Sequence, residues 1–177
     1  MWSTAISRIL LTIGILAFAT ALFANNDDET DYMIKLYLDA FSKAFGKPNQ
    51  AQSESIAQII TSFMIYGDRD FKKLSYILAT AWHESKLLLV KEKRGTPGSA
   101  LYQLQEKYWN TGFYGRGFVQ LTHRENYIKL GKILNIDLVN NPDLALDRRY
   151  ASDIINIGMM QGLFTGVSLH NYISFSH

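Results

Sequence analysis

Apolar residues recur three and four positions apart through most of this chain, the spacing that gathers side chains on one side of an α-helix. Tyr32, Leu36, Leu38, Phe41 and Phe45 form the first such row, closed by Gly46-Lys47-Pro48. Ile56, Ile59, Ile60, Phe63 and Met64 predict a second helix from about Ser53 to Tyr66, ended by Gly67-Asp68. A third opens on Asp70, a good N-cap, and carries Phe71, Leu74, Ile77, Leu78, Ala81 and Trp82. Helical spacing returns at Arg124–Leu134 and Arg149–Gln161. From Glu92 to Phe118 the texture differs, with Gly95, Pro97, Gly98, Gly112, Gly115 and Gly117 set among aromatics. That composition predicts loop or short strand on a helical scaffold, where sites tend to be built. The fold class expected is mainly α.

The apolar content is not all core. Arg8 is the only charge before Asp27, and Ile9 to Ala24 reads ILLTIGILAFATALFA. A helix of that length falls short of the roughly 20 residues that span a bilayer. A positive start, a short apolar run and small residues at Ala19, Ala21 and Ala24 read as a secretory signal peptide over residues 1–24, cleaved after Ala21 or Ala24. The alternative is an uncleaved anchor, and this segment is the only membrane contact expected. The working domain is then 25–177, secreted or periplasmic and monomeric.

Composition removes several function classes. With 47% hydrophobic and 19% charged residues the chain is globular. A net charge of +2 gives no support for nucleic-acid binding by phosphate neutralisation. Absence of cysteine excludes disulfide scaffolds, zinc ribbons and thiol nucleophiles. His83, His123, His170 and His177 do not form a metal set, and His83-Glu84 lacks a second histidine four residues on. No Gly-rich phosphate loop or Gly-x-Ser-x-Gly elbow occurs. No metal and no cofactor are expected. Charge is uneven, with nine basic and three acidic residues from Lys86 to Lys132. Such a bias reads as a solvated face, or as a groove favouring a polar or anionic polymer.

Carboxylates remain. Glu84 shares a helix side with Ile77 and Ala81 at the edge of the apolar stripe. A carboxyl half-withdrawn from water has its charged form disfavoured, which suits a general acid; a boundary glutamate paired with a nearby cation is the plainer reading. Glu92 is flanked by Lys91, Lys93 and Arg94, which would keep it ionised. One neutral and one charged carboxyl are what glycosidic hydrolysis needs. Glu92 also reads as an exposed loop charge, and Glu106 competes for the second role. In Tyr114-Gly115-Arg116-Gly117-Phe118-Val119-Gln120-Leu121-Thr122, two glycines free the backbone beside Arg116. An extended segment there would present Gln120 and Thr122 on one face. Thr122-His123-Arg124-Glu125 also reads as a capping box.

Four blocks together resemble glycoside hydrolase family 19, the chitinases and related cell-wall lysins: Ala79–Ser85, Tyr114–Gly117 with Gln120–Thr122, Val139–Ala145, and Gly162–Gly166. The resemblance implies a two-lobed, lysozyme-like helical domain with a central substrate cleft and no cofactor. It implies Glu84 as general acid and Glu92 as the base that activates water in an inverting reaction. Gln120 and Thr122 would hold the sugar or the attacking water, and Tyr114 and Arg116 would belong to the cleft, with Arg116 anchoring a carboxylate. The substrate implied is a β-1,4-linked N-acetylhexosamine polymer, chitin or peptidoglycan. Three departures accompany it, the first being a gap between Glu84 and Glu92 about two residues shorter than in similar relatives. Lys86-Leu87-Leu88-Leu89 stands where relatives carry small residues, and the sequence stops soon after Thr165-Gly166, where relatives continue. They motivate an alternative: a non-catalytic glycan-binding or inactive remnant of the same fold.

Overall fold

The computed structural model describes residues 26–173, so the expected leader lies outside the described residues. Helix α1 (Asn26–Phe45) begins with Asp27, Asp28 and Glu29 in its first turn, where negative charge complements the helix dipole. Helix α2 (Gln50–Tyr66) opens with a capping box, Asn49 Oδ1 accepting from Gln52 N–H while the Gln52 side chain accepts from Asn49 N–H. Helix α3 (Phe71–Ser85) is N-capped by Asp70, as its sequence indicates, and is stopped by Lys86 in the left-handed conformation. The next segment holds strand β1 (Val90–Lys91), the short helix α4 (Ala100–Gln105), a 3₁₀ turn (Trp109–Thr111) and strand β2 (Arg116–Gly117). Helix α5 (Arg124–Leu134), a second 3₁₀ turn (Pro142–Leu146), α6 (Arg148–Met160) and α7 (Leu169–Ile173) complete the described chain.

The described residues are mainly helical, and the strands among them form one antiparallel pair with Val90 opposite Gly117 and Lys91 opposite Arg116. Helix α4 was not visible in the residue spacing. Its opening is nonetheless local chemistry, because the Ser99 side chain accepts from Tyr102 N–H.

Helix α6 organises the interior, with Ala151 to Gly158 buried without interruption. Ala151 and Ile155 join a cluster with Ile59, Ile60, Phe63, Leu74 and Ile77. Ile154 and Ile157 join a second cluster with Phe113, Leu121, Tyr127, Leu130 and Leu138. The polar residues that α6 buries find partners: Ser62 donates to Asp153 Oδ1 at 2.7 Å, and Asn156 Nδ2 donates to Ile59 O at 3.0 Å. Burial pushes the Asp153 carboxyl above its ordinary value, partly offset by the Ser62 hydroxyl.

Candidate active site

The site begins with a tight hairpin. Arg116 and Leu121 exchange both backbone hydrogen bonds, at 2.9 and 3.2 Å, across Gly117–Gln120. Gly117 sits at φ +76°, and an added Cβ there would lie 2.6 Å from Ala145 O, so only glycine fits. Phe118 and Leu121 are buried, one in each apolar cluster, and pin the hairpin to the scaffold. Gln120 occupies φ +50° and His123 φ +73°, conformations that cost a non-glycine residue about 1–2 kcal/mol each. The expected extended run through Gln120 and Thr122 is therefore corrected: this stretch folds into a turn. The capping box is corrected too. His123 is the N-cap of α5 without a side-chain cap bond, and Thr122 Oγ1 donates instead to Gln120 O at 2.7 Å.

Glu84 on α3 and Gln120 and Thr122 of the hairpin line one cavity of about 430 Å³. Tyr76, Thr80, His123 and Asn126 extend its polar wall, while Met159, Phe164, Val167 and Leu169 supply the apolar one. Phe164 presses its ring where a Cβ on Gly158 would stand, 2.1 Å away, which seats the 162–167 loop against α6. Gln120 is held by its own amide, Nε2 donating to Val90 O and Gly117 O at 3.0 and 3.1 Å. Glu84 is exposed, in correction of the expected half-withdrawal from water. The buried stripe of α3 runs through Ile77, Ala81 and Ser85, and Glu84 stands beside it on the cavity side.

Glu92 stands elsewhere, beyond the lining of that cavity. Its Oε1 accepts from the Tyr108 hydroxyl at 2.8 Å and from Gln105 Nε2 at 2.9 Å, and its Oε2 from Gly115 N–H at 2.7 Å. Burial acts to raise its pKa, but the hydrogen bonds from Gln105, Gly115 and Tyr108 together outweigh it and hold the carboxyl below its ordinary range. The sequence pointed to neighbouring cations as the source of its ionisation, and the structure corrects that. Lys91 is spent on Asp143 at 2.8 Å, and Arg94 lies over the Tyr102 ring at 4.2 Å. Glu92 and Gln120 both abut Gly115: an added Cβ would lie 3.2 Å from Glu92 Oε2 and 2.7 Å from Gln120 Oε1. Glu106 is exposed at the end of α4 and lines no part of the cavity.

Arg116 is 3% exposed and anchors a carboxylate of the protein itself, Nε donating to Asp143 at 2.6 Å. Its Nη1 donates to Gly112 O and Tyr114 O, both at 3.0 Å, and to the Tyr127 hydroxyl at 3.2 Å. Tyr114 lies under that guanidinium at 4.1 Å and stacks on Trp109 at 4.4 Å. Tyr114 and Arg116 line a separate groove with Lys91 and Asp143. Hence the 139–145 block braces the hairpin from behind, while the other three blocks meet at the cavity. Among the described residues no lysine or arginine lines the cavity, so of the two readings of the Lys86–Lys132 bias the cavity does not bear out the basic groove. Those cations bind Asp143, stack on rings or face solvent. Tyr108, Gln105, Asn126 and Tyr172 are not singled out by the sequence, His123 is not marked there as a cavity residue, and only Ser99, as an N-cap, signals the helix that carries Gln105. Among the described residues no group of three acidic or histidine side chains could hold a metal ion, and no helix is long and apolar enough to cross a membrane.

Residues 79–158 match the family model for chitinase class I, glycoside hydrolase family 19. An acidic endochitinase of Petunia hybrida is 28% identical over 146 residues, covering 78% of this chain and 58% of the relative. Chitinase 11 of Oryza sativa is 62% identical over 32 residues, 18% of this chain and 12% of the relative. A basic endochitinase of Vitis vinifera is 39% identical over 56 residues, 29% and 17% of the two chains. The chain thus spans less than two thirds of the length of each of these relatives.

Proposed function

Because residues 79–158 match the glycoside hydrolase family 19 model, we propose that this protein is an exported glycosidase that cleaves β-1,4 linkages in chitin. The observation that carries the reading is the cavity itself. It gathers Glu84 with the amide and hydroxyl groups of Gln120, Thr122 and Asn126, and no lysine or arginine. Neutral hydrogen-bonding groups beside one carboxyl suit an uncharged N-acetylhexosamine polymer better than an anionic one. The polymer would lie in a cleft between two lobes, the two apolar clusters that share α6 forming their cores. The first 24 residues would direct export.

In this reaction Glu84 gives its proton to the glycosidic oxygen as the bond from that oxygen to C1 breaks. A water molecule adds its oxygen to C1 from the opposite face and passes a proton to Glu92, which inverts the configuration. Fixed hydrogen bonds keep Glu92 anionic and ready to accept that proton. Glu84 is exposed on the cavity wall, where it can meet the polymer. Substrate that fills the cavity would exclude bulk water and strengthen its contact with Glu84.

Release of chitin oligomers by the purified protein is the test. Glu84→Gln keeps the side-chain shape and removes the proton, so release should fall by about 10²–10⁴-fold. Undiminished release would remove Glu84 from the reaction. Binding of chitin without any release by the unaltered protein would instead favour a glycan-binding protein. Faster turnover of permeabilised bacterial walls than of chitin would move the substrate to peptidoglycan.

A further inference from the structure

Glu92 keeps its charge without touching a cation. Its partners are a phenol, a side-chain amide and a backbone N–H, from three separate segments. The charged residues nearest in sequence are turned to other work: Lys91 to Asp143, and Arg94 to the rings of Tyr102 and Trp109. Lys93 is exposed.

The two side chains that hold Glu92 are themselves fixed. Gln105 is fully buried; its Oε1 accepts from Gly95 N–H at 2.7 Å, and its Nε2 donates to Lys93 O at 2.8 Å as well as to Glu92. With the oxygen claimed by an N–H, the amide can turn only its nitrogen toward Glu92. Tyr108 is pushed up to about 12 by burial and by Glu92, against a smaller opposing effect of Arg94, so its hydroxyl remains a donor through the neutral range. The Tyr108 ring meets His123 edge-on at 5.4 Å, and His123 lines the cavity that holds Glu84.

We propose that Tyr108 and Gln105 are positioning residues for Glu92, fixing the aim of its carboxylate beside Gly115 and Gln120 with hydrogen bonds that take the place of a neighbouring cation. The inference rests on the role given to Glu92 above. Tyr108 contributes more than orientation, because it ties Glu92 through His123 to the wall carrying the first carboxyl. Removing its hydroxyl should leave the ring contact in place and take one of three donors from the anion.

Tyr108→Phe tests this in the full chain with two readouts. The first is a ¹³C titration of the Glu92 side-chain carboxyl, identified by its loss in Glu92→Gln. The second is the pH profile of chitin-oligomer release. With one donor fewer, the Glu92 carboxyl should titrate about one pH unit higher than in the unaltered protein, and the acid limb of the profile should move up with it. At the optimum, kcat should fall about tenfold with KM held within about twofold, the mark of an interaction used in the transition state rather than in binding. Gln105→Met removes the other side-chain donor and should move both readouts the same way, which keeps the test decisive if either variant folds poorly. An unmoved carboxyl titration in both variants overturns the proposal. A carboxyl that moves while neither the variants nor the unaltered protein release oligomers leaves the positioning intact and defeats the hydrolase reading.

Discussion

The helical scaffold and the segment from β1 to α5 solve the same problem by different physics. α2, α3 and α6 meet through apolar side chains, with Ile59, Ile60, Phe63, Leu74 and Ile77 fully buried. The segment between them and α5 has Phe113, Phe118 and Leu121 as its buried apolar anchors. Val119 packs between the two clusters, and most of the polar residues and rings are held by directed contacts. Arg116 donates to four groups, Glu92 accepts from three, and Tyr102, Arg94, Trp109, Tyr114 and Arg116 stack in a continuous column of rings and guanidinium groups. Apolar burial is non-directional, so it sets how much stability there is and leaves individual atoms some latitude. Hydrogen bonds and stacked rings fix single atoms. A change in the scaffold should therefore appear first as lost stability, and a change in the segment first as lost activity.

The largest effect on stability belongs to the scaffold. Phe63→Ala would open a cavity where α2 packs on α3 and α6, costing about 3–5 kcal/mol. Chemical denaturation would measure it, and a loss below about 1 kcal/mol would mean that the scaffold can collapse around the gap. Gly115→Ala offers the contrast. Its Cβ would lie within 3.2 Å of both the Gln120 side chain and Glu92 Oε2, forcing the two apart rather than emptying any core. Oligomer release should fall by about tenfold or more, because small misplacements of reacting groups are costly, while the unfolding midpoint stays close to that of the unaltered protein. A variant that loses its stability and keeps its turnover would reverse the distinction between the two regions.

The same contrast explains what could be read from the sequence. Helix α5 was legible to its end residues, and α3 from its Asp70 cap onward, because apolar period and capping are local signals. The residues around the cavity were legible through the resemblance of four blocks, which named Glu84, Gln120 and Thr122 without any geometry. The partners of Glu92 were not legible. Gln105 and Tyr108 lie 13 and 16 residues from it, and nothing in their own neighbourhoods marks an amide or a phenol that will meet a carboxylate. The misreading of Glu92's surroundings has the same origin. Cations adjacent in sequence are the partners that spacing alone suggests, yet β1 turns Lys91 to Asp143 and the next residue to Gly115, as strand alternation allows.

The smallest effect sharpens the comparison at the seam between the two regions. Lys86 ends α3 at φ 57° and ψ 32°, one residue beyond the site's Glu84-Ser85, and Leu87 follows at φ 60° with its side chain buried. Left-handed backbone costs a lysine about 1 kcal/mol relative to glycine, and the Lys86 ammonium recovers part of this over the Trp82 ring, 4.9 Å from its centroid. Lys86→Gly relieves the backbone and gives up the ring contact, so the two should nearly cancel, within about 0.5 kcal/mol. Lys86→Ala gives up the contact and keeps the strain. It should be less stable than the glycine variant by about 1 kcal/mol in chemical denaturation. Equal stability of the two would mean that the turn holds no strain. Because Leu87 anchors the turn from the core side, neither variant should move Glu84, and oligomer release should stay within about twofold of the unaltered rate.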